Sequence, residues 1–156
     1  MVFAIALSAV LVGTNPVPAT DTTIILKKAF PAFDWQKDSV ISIDINADGI
    51  TDWAALGYTE KIAAVGVVLG VKSGKPKATF MDFSRGGNYQ RGMCGRKAKL
   101  VSSKQTEEVE QALEEMPEGY KICPRCFEIK VEDNGGCDYI YIYWNHKAKD
   151  LDWWRL

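Results

Sequence analysis

Histidine is almost missing from these 156 residues: there is one, His146. Because histidine is the usual acid–base group at neutral pH and the commonest metal ligand, a Ser-His-Asp or Cys-His set has a single residue to draw on, and no G-x-S-x-G elbow accompanies it. Neither sign of charge is in excess. With 19 Lys and Arg against 20 Asp and Glu, the formal net charge is −1, and no global field draws the chain to nucleic acid or to an anionic membrane. After the first 20 residues no apolar run is long enough to span a bilayer, so the mature chain is expected not to insert into one. A phosphate-cradling glycine motif with its P-loop lysine is also lacking.

What is present begins with an uncharged leader. Residues 2–12 are apolar, and Val17-Pro18-Ala19 places small residues where signal peptidase needs them. The expectation is an export signal over 1–19 and a single domain over 20–156, periplasmic or secreted. In that compartment the even set Cys94, Cys123, Cys126 and Cys137 reads first as two disulfides. Three pairings are open, and Cys123 with Cys126 is disfavoured because so short a loop restrains the unfolded chain little. A zinc knuckle is the minor alternative, with Cys123 and Cys126 joined by Cys137 and either Cys94 or His146. Redox catalysis at Cys123-Pro-Arg-Cys126 would need the start of a helix, whereas the motif leads into a strand.

The β signal is strong. A short strand is expected at 22–26, then an aromatic lead-in at 30–35, then strands at 39–45, 53–58, 62–71 and 77–83, rich in β-branched and aromatic residues. Connections as short as Gly57-Tyr-Thr-Glu60 and Lys72-Ser-Gly-Lys-Pro76 join antiparallel neighbours, which makes this half a four-stranded meander. Residues 84–99, glycine-rich and basic, read as the longest irregular segment. The one helix is expected at 106–116, where Val109, Ala112, Leu113 and Met116 recur at helical spacing. Strands at 120–131 and 138–144 flank the hairpin turn Asp133-Asn-Gly-Gly136, and a last strand covers 151–155. The fold class is therefore mainly β, a β-rich α+β arrangement of antiparallel sheets with one helix.

The residues with the most pointed chemistry are Asp44-Ile-Asn46-Ala-Asp48-Gly49-Ile50-Thr-Asp52. Oxygen donors at alternate positions and a glycine at the sixth suit a loop that wraps calcium, through the side chains of Asp44, Asn46, Asp48 and Asp52 and the carbonyl of Ile50. An EF-hand would carry glutamate at the twelfth position between two helices; here Ala55 stands there and the flanks read as strands. The alternative is an Asx-rich turn without metal.

Residues 33–83, through this loop with Val40-Ile-Ser-Ile43 before it, Trp53-Ala-Ala-Leu-Gly57 after it and Ala64-Val-Gly-Val-Val-Leu-Gly70 as the next strand, resemble an FG-GAP or VCBS-type repeat, the blade unit of integrin-α-like propellers. The resemblance implies one structural calcium ion at the five positions named. A complete propeller is excluded, because the chain has no second such loop.

Two surfaces are candidate partner faces: the tyrosine row Tyr139, Tyr141 and Tyr143, which equally suits a sheet face covered by the helix, and the basic segment with Arg85 and Arg91. The function expected is a non-enzymatic, calcium-stabilised module that binds protein or glycan. The alternative is an inhibitor or immunity-type protein that inserts the segment 84–99 into an enzyme. A hydrolase would need a deep pocket with convergent titratable groups.

Overall fold

A computed structural model describes residues 19–86 and 90–155. The expected leader, apart from Ala19, and Gly87, Asn88 and Tyr89 of the basic segment lie outside them. The first element is a helix, α1 (Ala19–Ala29), and not the expected strand. Thr22, Thr23, Ile24 and Ile25 favour strand locally. The burial of Thr22, Thr23 and Leu26, however, defines a helical stripe, and packing of that stripe overrides the local preference. Asp21 in the first turn and Lys27 and Lys28 in the last complement the helix dipole.

Six strands form the first sheet: β1 (Asp34–Trp35), β2 (Ile41–Ile43), β3 (Asp52–Tyr58), β4 (Ile62–Leu69), β5 (Lys77–Arg85) and β6 (Gly92–Met93). The antiparallel meander runs β2, β3, β4, β5 as expected. β1 pairs with the far end of β3, and β6 lies parallel to β5. Residues of β4 are buried on both faces, which is why its sequence is a continuous apolar run instead of an alternation. One face meets α1 and the aromatic lead-in, where Leu26, Phe33, Trp35, Ala55, Ala64 and Val68 form a cluster.

Trp35 lies flat over two glycines of neighbouring strands. A Cβ added to either Gly57 or Gly66 would come within 2.6 Å of its ring. Gly66→Ala is therefore expected to destabilise the fold by about 1–3 kcal/mol through overpacking, read as a lower midpoint in urea with an unchanged slope.

The second sheet, β7 (Ala98–Lys104), β8 (Phe127–Asp133), β9 (Ile140–Asn145) and β10 (Asp150–Arg155), has the order β10-β9-β8-β7 and is antiparallel throughout. Leu100, Ile129, Val131, Ile140, Ile142 and Trp144 face Ile43, Leu56, Val65, Val67 and Phe83 of the first sheet, so both sheets share one core. The basic segment is less irregular than expected: its ends belong to β5 and β7, and β6 lies between them. β8 starts at Phe127, seven residues later than expected, because 120–126 belongs to an excursion that crosses the outer face of the sheet. Within that excursion the expected helix is cut to α2 (Glu108–Leu113). Glu114 adopts a left-handed φ of 62° and ends it, and Met116 is exposed instead of completing the apolar face.

Candidate functional site

The acidic loop joins β2 to β3. Asp44 accepts from the N–H groups of Asp48 and Gly49 at 3.0 and 2.9 Å, Asn46 accepts from Asp48 N–H at 3.0 Å, and Asp48 accepts from Ile50 N–H at 2.8 Å. Gly49, at φ 83°, makes the bend that these bonds require. Asp52 differs from the others in being fully buried. One of its oxygens accepts from Ile45 N–H at 3.0 Å and the other from Gly70 N–H at 2.8 Å, so it ties the loop to the end of β4. Burial raises its pKa to about 6; the two backbone donors oppose the rise, and the charges of Asp48 and Asp44 add to it.

The donor set of carboxylates, an amide and a carbonyl is the hard-oxygen chemistry calcium takes, and the repulsion felt at Asp52 is what a cation would relieve. The side chains as they stand hold backbone amides, and among the described residues no three His, Cys, Asp or Glu side chains gather as a metal site. One cation was not anticipated here. A Cβ on Gly49 would lie 3.5 Å from a guanidinium nitrogen of Arg125, which brings the turn before β8 over the acidic loop.

The cysteines pair as Cys94 with Cys137 and Cys123 with Cys126, with Cα separations of 5.9 and 5.0 Å. The disfavoured short pairing is thus the one present: residues 123–126 form a tight turn that brings the two thiols together whatever the loop entropy. In this pairing no thiolate is left for zinc. Cys94–Cys137 clamps the β8–β9 turn to the basic segment, where Asp133 accepts from the N–H groups of Cys94 and Gly135, both at 2.8 Å. His146 is half-buried, and desolvation together with nearby Lys121 lowers its pKa.

The tyrosine row divides. Tyr143 is buried in a cluster with Val109, Tyr120 and Trp154, beneath the excursion that carries α2. Tyr141 stacks on Trp154 at 4.1 Å, and Tyr139, the most exposed of the three, lies under Lys130. The covered-sheet reading therefore describes this face best. Beneath it Glu128, which the sequence reading passed over, accepts from Tyr120 O–H at 3.0 Å and Trp154 Nε1–H at 3.1 Å while only 3% exposed. Burial raises its pKa; the donors Trp154, Tyr120 and Ser103 hold it down.

Arg91 forms an exposed pair with Asp82. Arg85 is built in differently. Its two terminal nitrogens donate to the carbonyls of Thr59 and Arg96 at 2.6 and 2.7 Å, and the guanidinium lies 4.8 Å from the centre of the Tyr58 ring. Tyr58 in turn accepts from Ala98 N–H at 3.0 Å, which fixes the start of β7 against β3. Arg85 lines a cleft of about 610 Å³ whose floor includes Tyr58, Leu56 and Leu100. A second cleft of about 770 Å³ lies beside Trp153, Trp154 and Asp138. The two carboxyls with raised pKa values, Asp52 and Glu128, line neither. No family model, curated protein or solved structure matches the chain.

Proposed function

We propose that this chain is an exported, calcium-stabilised, non-enzymatic module of a single FG-GAP- or VCBS-like blade and a second sheet, which binds a protein or glycan partner. The observation that carries the calcium part is Asp52, a buried carboxylate with two further carboxylates beside it and amides as its hydrogen-bond partners. Asp44, Asn46, Asp48, the Ile50 carbonyl and Asp52 would hold the ion. Bound there, it supplies positive charge that offsets their repulsion and pins β2 to β3. The two disulfides suit an oxidising compartment, and among the described residues no helix is long and apolar enough to cross a membrane. A binding role is supported by the internal use of the perturbed groups: Asp52 and Glu128 serve the fold. Since Tyr143 is buried, the basic segment around Arg85 is the better partner face.

Calcium at a hundredfold excess over its dissociation constant should stabilise the protein by about 2.7 kcal/mol, raising the melting temperature by roughly 10 °C relative to EDTA. Asp48→Ala should abolish the difference. Identical melting of the wild type with calcium and with EDTA would sink the calcium reading. Binding is tested separately, by capture from a periplasmic extract with Arg85→Gln as the control; equal capture by both proteins would remove this face from consideration.

A further inference from the structure

Arg85 is a fixed, half-buried cation without a carboxylate partner among the described residues. The guanidinium has five N–H donors, and two of them go to the Thr59 and Arg96 carbonyls. Its Nε is buried and has no hydrogen-bond partner, and no ion pair within 4 Å involves it among the described residues. Such a group keeps a charge that no carboxylate compensates among the described residues, and a guanidinium held rigid by two carbonyls and a ring is pre-organised for a carboxylate that enters the cleft.

The lining also carries the opposite sign. Asp34 and Asp38, from β1 and the turn after it, line the same 610 Å³ space. Asp34 is bonded to Gln36 Nε2, whereas Asp38 has no ion-pair partner among the described residues, although its charge, like that of Arg85, is felt at the Tyr58 hydroxyl. A plain anion is repelled by the carboxylates of the lining and a plain cation by its basic side chains. A molecule carrying both charges satisfies both. With Arg96, Lys97 and Lys99 in the same lining, its cations outnumber its carboxylates, so the ligand should carry carboxylate in excess. Tyr58, Leu56, Ile41 and Leu100 supply an apolar floor, and the volume lies within the roughly 300–1,000 Å³ range of small-ligand sites.

We propose that this cleft binds an acidic zwitterion, a free amino acid or a short peptide with an unblocked N-terminus, its carboxylate toward Arg85 and its ammonium toward Asp38. The proposal rests on the reading of this face as the binding face and names the ligand class for it. Glutamyl-leucine has the required charges and an apolar side chain for the floor, and free glutamate and free leucine separate the peptide source from the amino-acid source.

The test is a titration of the isotopically labelled full chain, in calcium, followed by NMR at the amides of Ala98 and Arg85. Glutamyl-leucine should shift both signals saturably, while N-acetylation of the dipeptide should weaken binding at least tenfold. Asp38→Asn should weaken the dipeptide by a similar factor and make acetylation nearly without effect. Arg85→Gln should abolish binding; should that variant fail to fold, the exposed Lys99→Gln should weaken the dipeptide several-fold. Stronger shifts with glutamate alone than with the dipeptide would assign the site to amino acids within the same class. No saturable shift at millimolar dipeptide, equal binding of the acetylated form, or equal binding of inorganic phosphate would overturn the proposal. Arg85-dependent capture of a macromolecule by a protein indifferent to all these probes would overturn it too, while leaving the binding-module reading intact.

Discussion

Replacing Cys94 and Cys137 together by serine should cost about 4 kcal/mol of stability, and replacing Cys123 and Cys126 should cost about half as much. The two bridges span 43 and 3 positions of sequence, and the restraint that a cross-link places on the unfolded chain grows with the logarithm of the closed loop. Geometry adds to the difference. Cys94–Cys137 joins the β8–β9 turn to the segment between the sheets, where Asp133 already bonds Cys94 and Gly135, whereas Cys123–Cys126 restrains only its own turn. The measurement is denaturant unfolding of each double variant in the presence of calcium. Equal losses from the two would show that the long bridge does not act chiefly through the unfolded state.

Glu128→Ala should be the most damaging substitution outside the cysteines, at roughly 2–5 kcal/mol, because it leaves the buried Tyr120 hydroxyl and the Trp154 indole N–H without their acceptor. Glu128→Gln keeps an acceptor oxygen and should cost little. The pH dependence of stability carries the signature of this buried carboxyl. Burial holds the Glu128 pKa above its unfolded value near 4.5, so the native state keeps a proton over a window in which the unfolded chain has lost it. The stability due to this group is therefore full below the unfolded pKa and declines as pH rises through the folded one. The glutamine variant should lack that decline, and its advantage over wild type should grow from pH 4 toward neutrality. A wild type and a glutamine variant with parallel stability profiles would refute the buried, unpaired carboxyl as the cause.

Glu128 also shows where reading along the chain stops. In Phe127-Glu-Ile-Lys-Val131, Ile129 and Val131 mark one face as core, and alternation sends Glu128 to the other, which an isolated pattern assigns to solvent. Only the excursion between β7 and β8 makes that second face an interior. The same excursion buries Tyr143, so a row of tyrosines with two equally good meanings acquired one. For α1, local β-branching pointed to a strand, and the pocket formed by Trp35 and Gly66 made Leu26 part of a helix. β7 went unseen because Lys99 and Lys104 break the apolar pattern of a strand whose inward residue Leu100 has few apolar companions.

The meander of β2 to β5, the β8–β9 hairpin, the last strand and the acidic loop were legible directly, since each depends on periodicity or turn chemistry within a few residues. Such signals survive without knowledge of neighbours. Thus the residues alone settled a β-rich antiparallel chain, two disulfides' worth of cysteine and a loop of calcium-type donors. Which cysteines meet, why Asp52 and Glu128 are short of charge partners, and that Arg85 and Asp38 line one cleft were settled by contacts between distant positions. Thr59 and Arg85 are 26 residues apart, Tyr58 and Ala98 are 40 apart, and Cys94 and Cys137 are 43 apart. Desolvation and charge complementarity act through space, so they come into being only once the two sheets have closed on one core.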